Sequence, residues 1–231
     1  MISFLLYILI RKHGKGAVAK AVAKIRQLAN RYLPLYFIAV STMLLLLMPL
    51  CTKSQNLELK YKICQGGDEI GWLSIYKNMD GNKLTITLTS EIKTRVIFTI
   101  AISTKESSSF RNGQLLHSSV FRKTNGHTKI NKQTALNGEV YEVVKNGQSA
   151  KLPFSYIGKN LLSLYFQEPV GISKVYSDNH ERFLNIAKTD EGAYKVKFPD
   201  GNSNIFYYSA GACTKIKIFH TLYNATVTRT P

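Results

Sequence analysis

FRNGQLLHSSVFRKTNGHTKINKQTALNGEVYEVVKNGQS, residues 110–149, carries four Asn-Gly pairs, at 112–113, 125–126, 137–138 and 146–147. A two-residue hairpin turn of type I′ needs positive φ at both central positions. Asn followed by Gly reaches that conformation at the lowest steric cost. The pairs lie between runs in which apolar and polar residues alternate. Each Asn-Gly therefore reverses one strand into the next, and the stretch predicts a series of adjacent antiparallel hairpins. Asp80-Gly81 and Asp200-Gly201 read the same way, while Gly66-Gly67, Glu191-Gly192 and Ala210-Gly211 are weaker turn signals.

Outward from this stretch the period stays at two. LELKYKI (57–63) sets Leu57, Leu59, Tyr61 and Ile63 against Glu58, Lys60 and Lys62. KLTITLT (83–89), AYKVKF (193–198) and TKIKIF (214–219) repeat the pattern. Strict alternation means strands with one buried and one wet face, which favours antiparallel pairing. One segment departs from it: PFSYIGKNLLSLYFQEP (153–169) is bracketed by prolines, and Leu161, Leu164 and Tyr165 fall at helical spacing after Asn160, a candidate cap. The expected fold is all-β: a single curved antiparallel meander of roughly ten strands with one short helix. A sheet that long curls into a half-barrel or barrel-like form to protect its edges. The helix, through Leu161, Leu164, Tyr165 and Phe166, would be a lid or plug on the concave face.

The chain has 231 residues, 45% hydrophobic, 11% aromatic and 19% charged, a globular composition. Its net charge of +17 is unevenly placed. All 14 acidic residues follow residue 54, and eight of the 31 basic ones precede residue 55, so the remainder carries a net +9. Residues 32–50, YLPLYFIAVSTMLLLLMPL, contain no charge and follow seven basic residues, from Arg11 to Arg31. Nineteen helical residues span roughly 28 Å, close to a bilayer core. The basic flank places everything beyond residue 50 outside the cytoplasm. Two segments follow: a basic preface with a hydrophobic signal peptide or anchor over 1–54, and an antiparallel β domain over 55–231. Three leader readings remain open. It is cleaved after Ser54, lipidated at Cys51, or retained as a membrane anchor. Leu50 before Cys51 is larger than a lipobox prefers. MISFLLYILI (1–10) is too short to span, and a translation start placed too far upstream would account for it.

No catalytic signature is present: no G-x-S-x-G, H-E-x-x-H or phosphate-cradling loop. Ser107–Ser109, Ser118 and Ser119 read as solvated strand positions. Asp178, His180 and Glu181 form the best polar cluster, but no second ligand pair accompanies them, so no metal and no cofactor are expected. His117, His127 and His220 stand singly in strands. Phe121, Arg122, Lys123, His127, Lys129 and Lys132 interleave basic and aromatic residues. In an exported chain this reads as a solvated hairpin face with weak attraction to an anionic membrane surface, and nucleic acid is not expected as a partner. Cys64 and Cys213 would remain after leader removal. Parity places Cys64 with Lys60 and Lys62, and Cys213 with Lys215 and Lys217, so both should point outward. A disulfide between them requires neighbouring strands.

YKICQGGDEIGWLSI (61–75), VFRKTNGHTKINK (120–132), LLSLYFQEPVGISKVYSDN (161–179) and FPDGNSNIFYYSAGACTKIKI (198–218) carry a resemblance over most of residues 55–231. The body resembles an uncharacterised bacterial family of exported proteins, a domain-of-unknown-function family with an N-terminal signal and an antiparallel β domain. The segment Leu164–Pro169, followed by VYSDN, is its most specific part. The resemblance implies export and an all-β fold, and transfers no catalytic residue. The leading functional expectation is a non-enzymatic cell-envelope protein whose curved sheet binds an apolar or amphipathic ligand, such as a lipid, or an envelope partner. A fully packed interaction module is the alternative, and a hydrolase using Asp178, His180 or Glu181 a remote one.

Overall fold

The computed structural model describes residues 16, 19–20, 22–24, 26–33, 37, 55–95, 99–221 and 223–231. The chain divides into two units, Met1–Cys51 and Thr52–Pro231. Described residues of the first unit are helical and exposed. Among the described residues no helix is long and apolar enough to cross a membrane. The apolar run's C-terminal part and Cys51 lie outside them.

Among the described residues, the second unit forms fourteen strands. These are β1 (Gln55–Gln65), β2 (Asp68–Asp80), β3 (Lys83–Arg95), β4 (Thr99–Arg111), β5 (Gln114–Thr124), β6 (His127–Asn137) and β7 (Val140–Lys145), then β8 (Gln148–Lys151), β9 (Lys174–Ser177), β10 (Arg182–Lys188), β11 (Tyr194–Lys197), β12 (Ser203–Ser209), β13 (Ala212–Phe219) and β14 (Asn224–Arg229). All belong to one antiparallel sheet in the order β8-β7-β6-β5-β4-β3-β2-β1-β14-β13-β12-β11-β10-β9. The first strand pairs with the last, Tyr61 opposite Arg229 and Ile63 opposite Val227, so the two ends of the domain meet in mid-sheet. The sheet curves without closing, and its edge strands β8 and β9 are four residues each. Roughly ten strands were expected. Part of the surplus comes from the four-residue edge strands β8 and β9, too short to display alternation.

The Asn-Gly turns form as predicted at three places. Asn112, Asn125 and Asn146 have φ of 50°, 48° and 51°, each followed by a glycine at positive φ. Gly66-Gly67 and Ala210-Gly211 also have positive φ at both residues, and two further tight turns use the glycine differently. Asp80 and Asn137 close their strands opposite Lys83 and Val140, and Gly81 and Gly138 open the loops at φ 56° and 64°. Positive φ at the first central residue only is the type II′ pattern.

Four register shifts interrupt the ladders and help the sheet bend, between Ile63 and Cys64, Ser109 and Phe110, Arg122 and Lys123, and Tyr207 and Tyr208. The last shift corrects the cysteine expectation. Tyr207 faces Lys215 and Tyr208 faces Cys213, leaving Thr214 as the extra residue. An extra residue reverses parity, so Cys213 enters the core and is fully buried. Cys64 pairs with Thr226, whose β13 partner is Lys217, four residues from Cys213. That offset is ~13 Å along the strand, well beyond the ~7 Å a disulfide allows. Both thiols are free. Burial pushes the Cys213 thiol up to about 12. Alkylation of the native protein at mildly alkaline pH should therefore label Cys64 and spare Cys213 until denaturant is added. Peptide mass mapping reads the difference, and equal native labelling of both would contradict this register.

Candidate ligand cavity

The register puts the connections 66–67, 125–126, 179–181 and 198–202, with 220–221 and 223, at one end of the sheet. A cavity of about 610 Å³ runs inward from that end. Exposed Asp200 and Tyr223 stand at its mouth. Its floor is the 3-10 turn Leu161–Tyr165, which contributes Leu161, Leu162 and Tyr165. Below the floor the interior is filled by Leu59, Ile75, Ile86, Phe110, Leu115 and Tyr141.

The turn is pinned from several sides. The Tyr208 hydroxyl donates to the Leu164 carbonyl at 2.8 Å. The Tyr194 hydroxyl donates to Glu168 Oε1 at 2.9 Å, and the Glu168 N–H to the Gly211 carbonyl at 3.0 Å. The Tyr165 ring meets Tyr61 and Phe206 edge-on at 5.5 and 6.3 Å. Of the four residues expected as lid or plug, Leu161 and Tyr165 line the cavity. Leu164 lies in the core and Phe166 beneath Lys77. Leu162, which helical spacing did not single out, lines it too. Asn160 precedes the turn without capping it through its side chain. That side chain is used elsewhere.

The cavity has two unlike walls. Ile63, Leu73, Leu88, Ile218 and Val227 make an apolar one from β1–β3, β13 and β14. The adjoining wall, from β4, β5 and the tip of the β9–β10 hairpin, carries Thr104, Glu106, Arg122, Asp178 and His180. Arg122 Nε lies 3.4 Å from Thr104 Oγ1 and its Nη2 3.9 Å from Glu106 Oε1, both long. Glu106 keeps 21% of its side-chain surface accessible because it faces the cavity, although it lies deep in the domain. Desolvation there pushes its carboxyl from 4.5 to about 7, against the pull of Arg122 and with a smaller push from Asp178.

Beside the cavity lies a buried polar cluster. Ser118 donates to Asp178 Oδ1. Asn160 Nδ2 donates to Asp178 Oδ2 at 2.9 Å and to Ser108 Oγ at 2.6 Å. Lys132, 4% exposed, is paired with Glu181 and donates to the Asn179 carbonyl at 2.9 Å. These bonds tie the β9–β10 hairpin tip to β4, β5 and β6, bridging a gap that the strand ladder leaves open. Ser108 and Ser118 are thus buried rather than solvated, each 1% exposed. Arg122 and Lys132 point inward, while Lys129 remains exposed on the hairpin surface. Asp178, His180 and Glu181 do not converge. His180 Nδ1 lies 3.0 Å from Ser177 Oγ and its ring stacks on Phe198 at 5.3 Å, where burial holds its pKa down. His117 and His127 are exposed, and His220 stacks on Tyr223. Among the described residues, no three His, Cys, Asp or Glu side chains are placed to hold a metal.

Residues 61–230 match the domain of unknown function DUF6134, and the chain belongs to that family. No curated protein matches. Among solved structures, the chain is similar to a beta-barrel-like protein of domain of unknown function DUF1849 from Brucella abortus. Identity is 9%, 77% of this chain and 95% of that one are covered, and the TM-score is 0.50. At that identity the likeness shows the fold alone.

Two stability outcomes follow. Asp178→Ala strands the Ser118 and Asn160 donors in the interior and should cost about 2–4 kcal/mol in urea unfolding. Asp178→Asn should cost less than about half as much, because Asn160 can turn its unpartnered Oδ1 toward the new amide. Equal losses would mean that the hydrogen-bond pattern is misassigned. Glu106 is held above its unfolded value, so the folded state binds its proton more tightly and loses stability as pH rises from 4.5 to about 7. Glu106→Gln should raise the melting temperature by several degrees relative to the native chain at about pH 8, and by little at about pH 4.

Proposed function

We propose that this domain is a non-enzymatic receptor or carrier that holds an apolar or amphipathic ligand in its cavity, in the cell envelope beyond the inner membrane. The observation that carries the reading is the cavity itself, about 610 Å³, apolar on one wall and with a short polar set on the other. Small-molecule sites have this size and this division of labour. The alternative of an envelope interaction module with a filled core draws no support from an interior of this kind. Export draws its support from the uncharged stretch 32–50 behind a basic flank.

A partner of different character suits the outside of the sheet. Lys60 and Lys62 on β1, Lys215 and Lys217 on β13, and Lys195 and Lys197 on β11 alternate with core residues and so share the outer face. Lys215 and Lys217 lie over the Tyr207 ring at 4.4 and 5.4 Å. Such a surface is attracted to an anionic membrane, to an extent that salt weakens.

The full-length chain should bind an environment-sensitive apolar dye saturably and with one-to-one stoichiometry. Ile102→Trp, which fills the cavity between the walls, should weaken binding by about tenfold or more. A dye that does not bind, or that binds the variant equally well, removes the cavity from the proposal. N-terminal sequencing and lipid analysis of the native product test the address. A terminus at Gln55, a lipidated Cys51 or a membrane-retained leader each fit, and recovery from the cytosol does not.

A further inference from the structure

We propose that the Arg122–Glu106 corner of the cavity is a head-group site that selects a long-chain monocarboxylate. The inference rests on the cavity being the binding site and adds the chemistry that chooses its occupant.

Several charges around the cavity are already engaged. Asp178 has both carboxyl oxygens occupied, by Ser118 and Asn160. Asp200, at the mouth, accepts from the Asn202 main-chain N–H at 3.1 Å and from its side-chain amide at 2.8 Å. Lys132 is consumed by Glu181 and the Asn179 carbonyl. Arg122 differs. A guanidinium has five N–H donors in a planar fork suited to a carboxylate. Among the described residues its contacts with Thr104 and Glu106 are 3.4 and 3.9 Å, neither a short bond. Such donors inside an apolar enclosure leave room for an acceptor of better geometry.

Glu106 decides the sign of that acceptor. It lies one pleat deeper than Arg122, since Thr104 is opposite Arg122 and Glu106 opposite Val120. Arg122 on β5, Asp178 from the hairpin tip and Tyr165 from the floor act on it electrostatically, and His180 and Asp200 also line the cavity. Burial favours its neutral form. A neutral carboxyl beside a guanidinium offers one proton and one positive charge, a combination that an anionic carboxylate satisfies. Beside them, β3 presents Leu88 next to Glu106, and the apolar wall continues through Leu73 and Ile63, which suits a hydrocarbon chain. A cationic amphiphile would need Glu106 ionised and would face Arg122 unscreened.

The test displaces a bound apolar dye from the full-length chain with dodecanoate, dodecanol or dodecylamine at about pH 6 and about pH 8.5. Dodecanoate should displace the dye at about tenfold lower concentration than dodecanol near pH 6. Arg122→Gln should erase that preference while leaving dodecanol unchanged, which also shows that the variant is folded. The preference should shrink near pH 8.5 in the native chain and persist in Glu106→Gln. Equal action of acid and alcohol, an unchanged Arg122→Gln variant, or a preference for dodecylamine each overturns the head-group assignment and leaves the cavity reading standing. Failure of all three probes overturns both.

Discussion

The domain depends on a bond set that no strand ladder supplies. A fourteen-stranded sheet with two four-residue edges must be held in its curved form by something, and the buried Asp178 carboxyl supplies that hold. It is gripped from β5 by Ser118 and, through Asn160, from β4 by Ser108. Desolvation raises the Asp178 pKa and its hydrogen bonds lower it, the tension expected of a buried charge that must stay bonded. An apolar closure would have been simpler to bury. The polar one is directional, and directional contacts specify a single closed form over the many that greasy contacts allow.

The same closure makes the cavity. Once the hairpin tip is fastened to β4–β6, its residues Asp178–His180 face the strands of the opposite arm across empty space. The 3-10 turn then divides the interior into a packed half and an open half, with Tyr165 wedged between Tyr61 and Phe206. The residues that carried the family resemblance are largely these. Leu164 and Glu168 in the Leu164–Pro169 segment anchor the floor, and Asp178 and Asn179 of VYSDN make the fastening. These residues serve assembly of the fold.

The hairpins were legible because Asn-Gly is a local signal, and the long strands because alternation needs only neighbours. What was hidden depends on distance or on one extra residue. Thr214 reverses the parity of Cys213, and nothing in TKIKIF announces it. Ser118 looks like a solvated position until Asp178 arrives from 60 residues away, and Ser108 until Asn160 arrives from 52. Arg122 and Lys132 read as a surface patch because basic residues usually are; only the register with Thr104 and Val120 reveals their inward face. Curvature of so long a sheet left open whether its concave face was packed or hollow, and the cavity's place and lining could not be read. A void is a property of three-dimensional packing and leaves no periodicity.

The pairing of the first strand with the last has a kinetic consequence. Thr230 donates to the Lys60 carbonyl across 170 residues, so the middle of the sheet is assembled from the two extremes of the domain. Hairpins on either arm can form as soon as they are synthesised, but the seam between them must wait for the final six-residue strand. Contacts this remote in sequence slow folding, and during the delay both arms present unpaired backbone to any neighbour. Strand β14 is therefore the keystone of the domain, and a chain that lacks it is two unfinished ribbons exposed to aggregation.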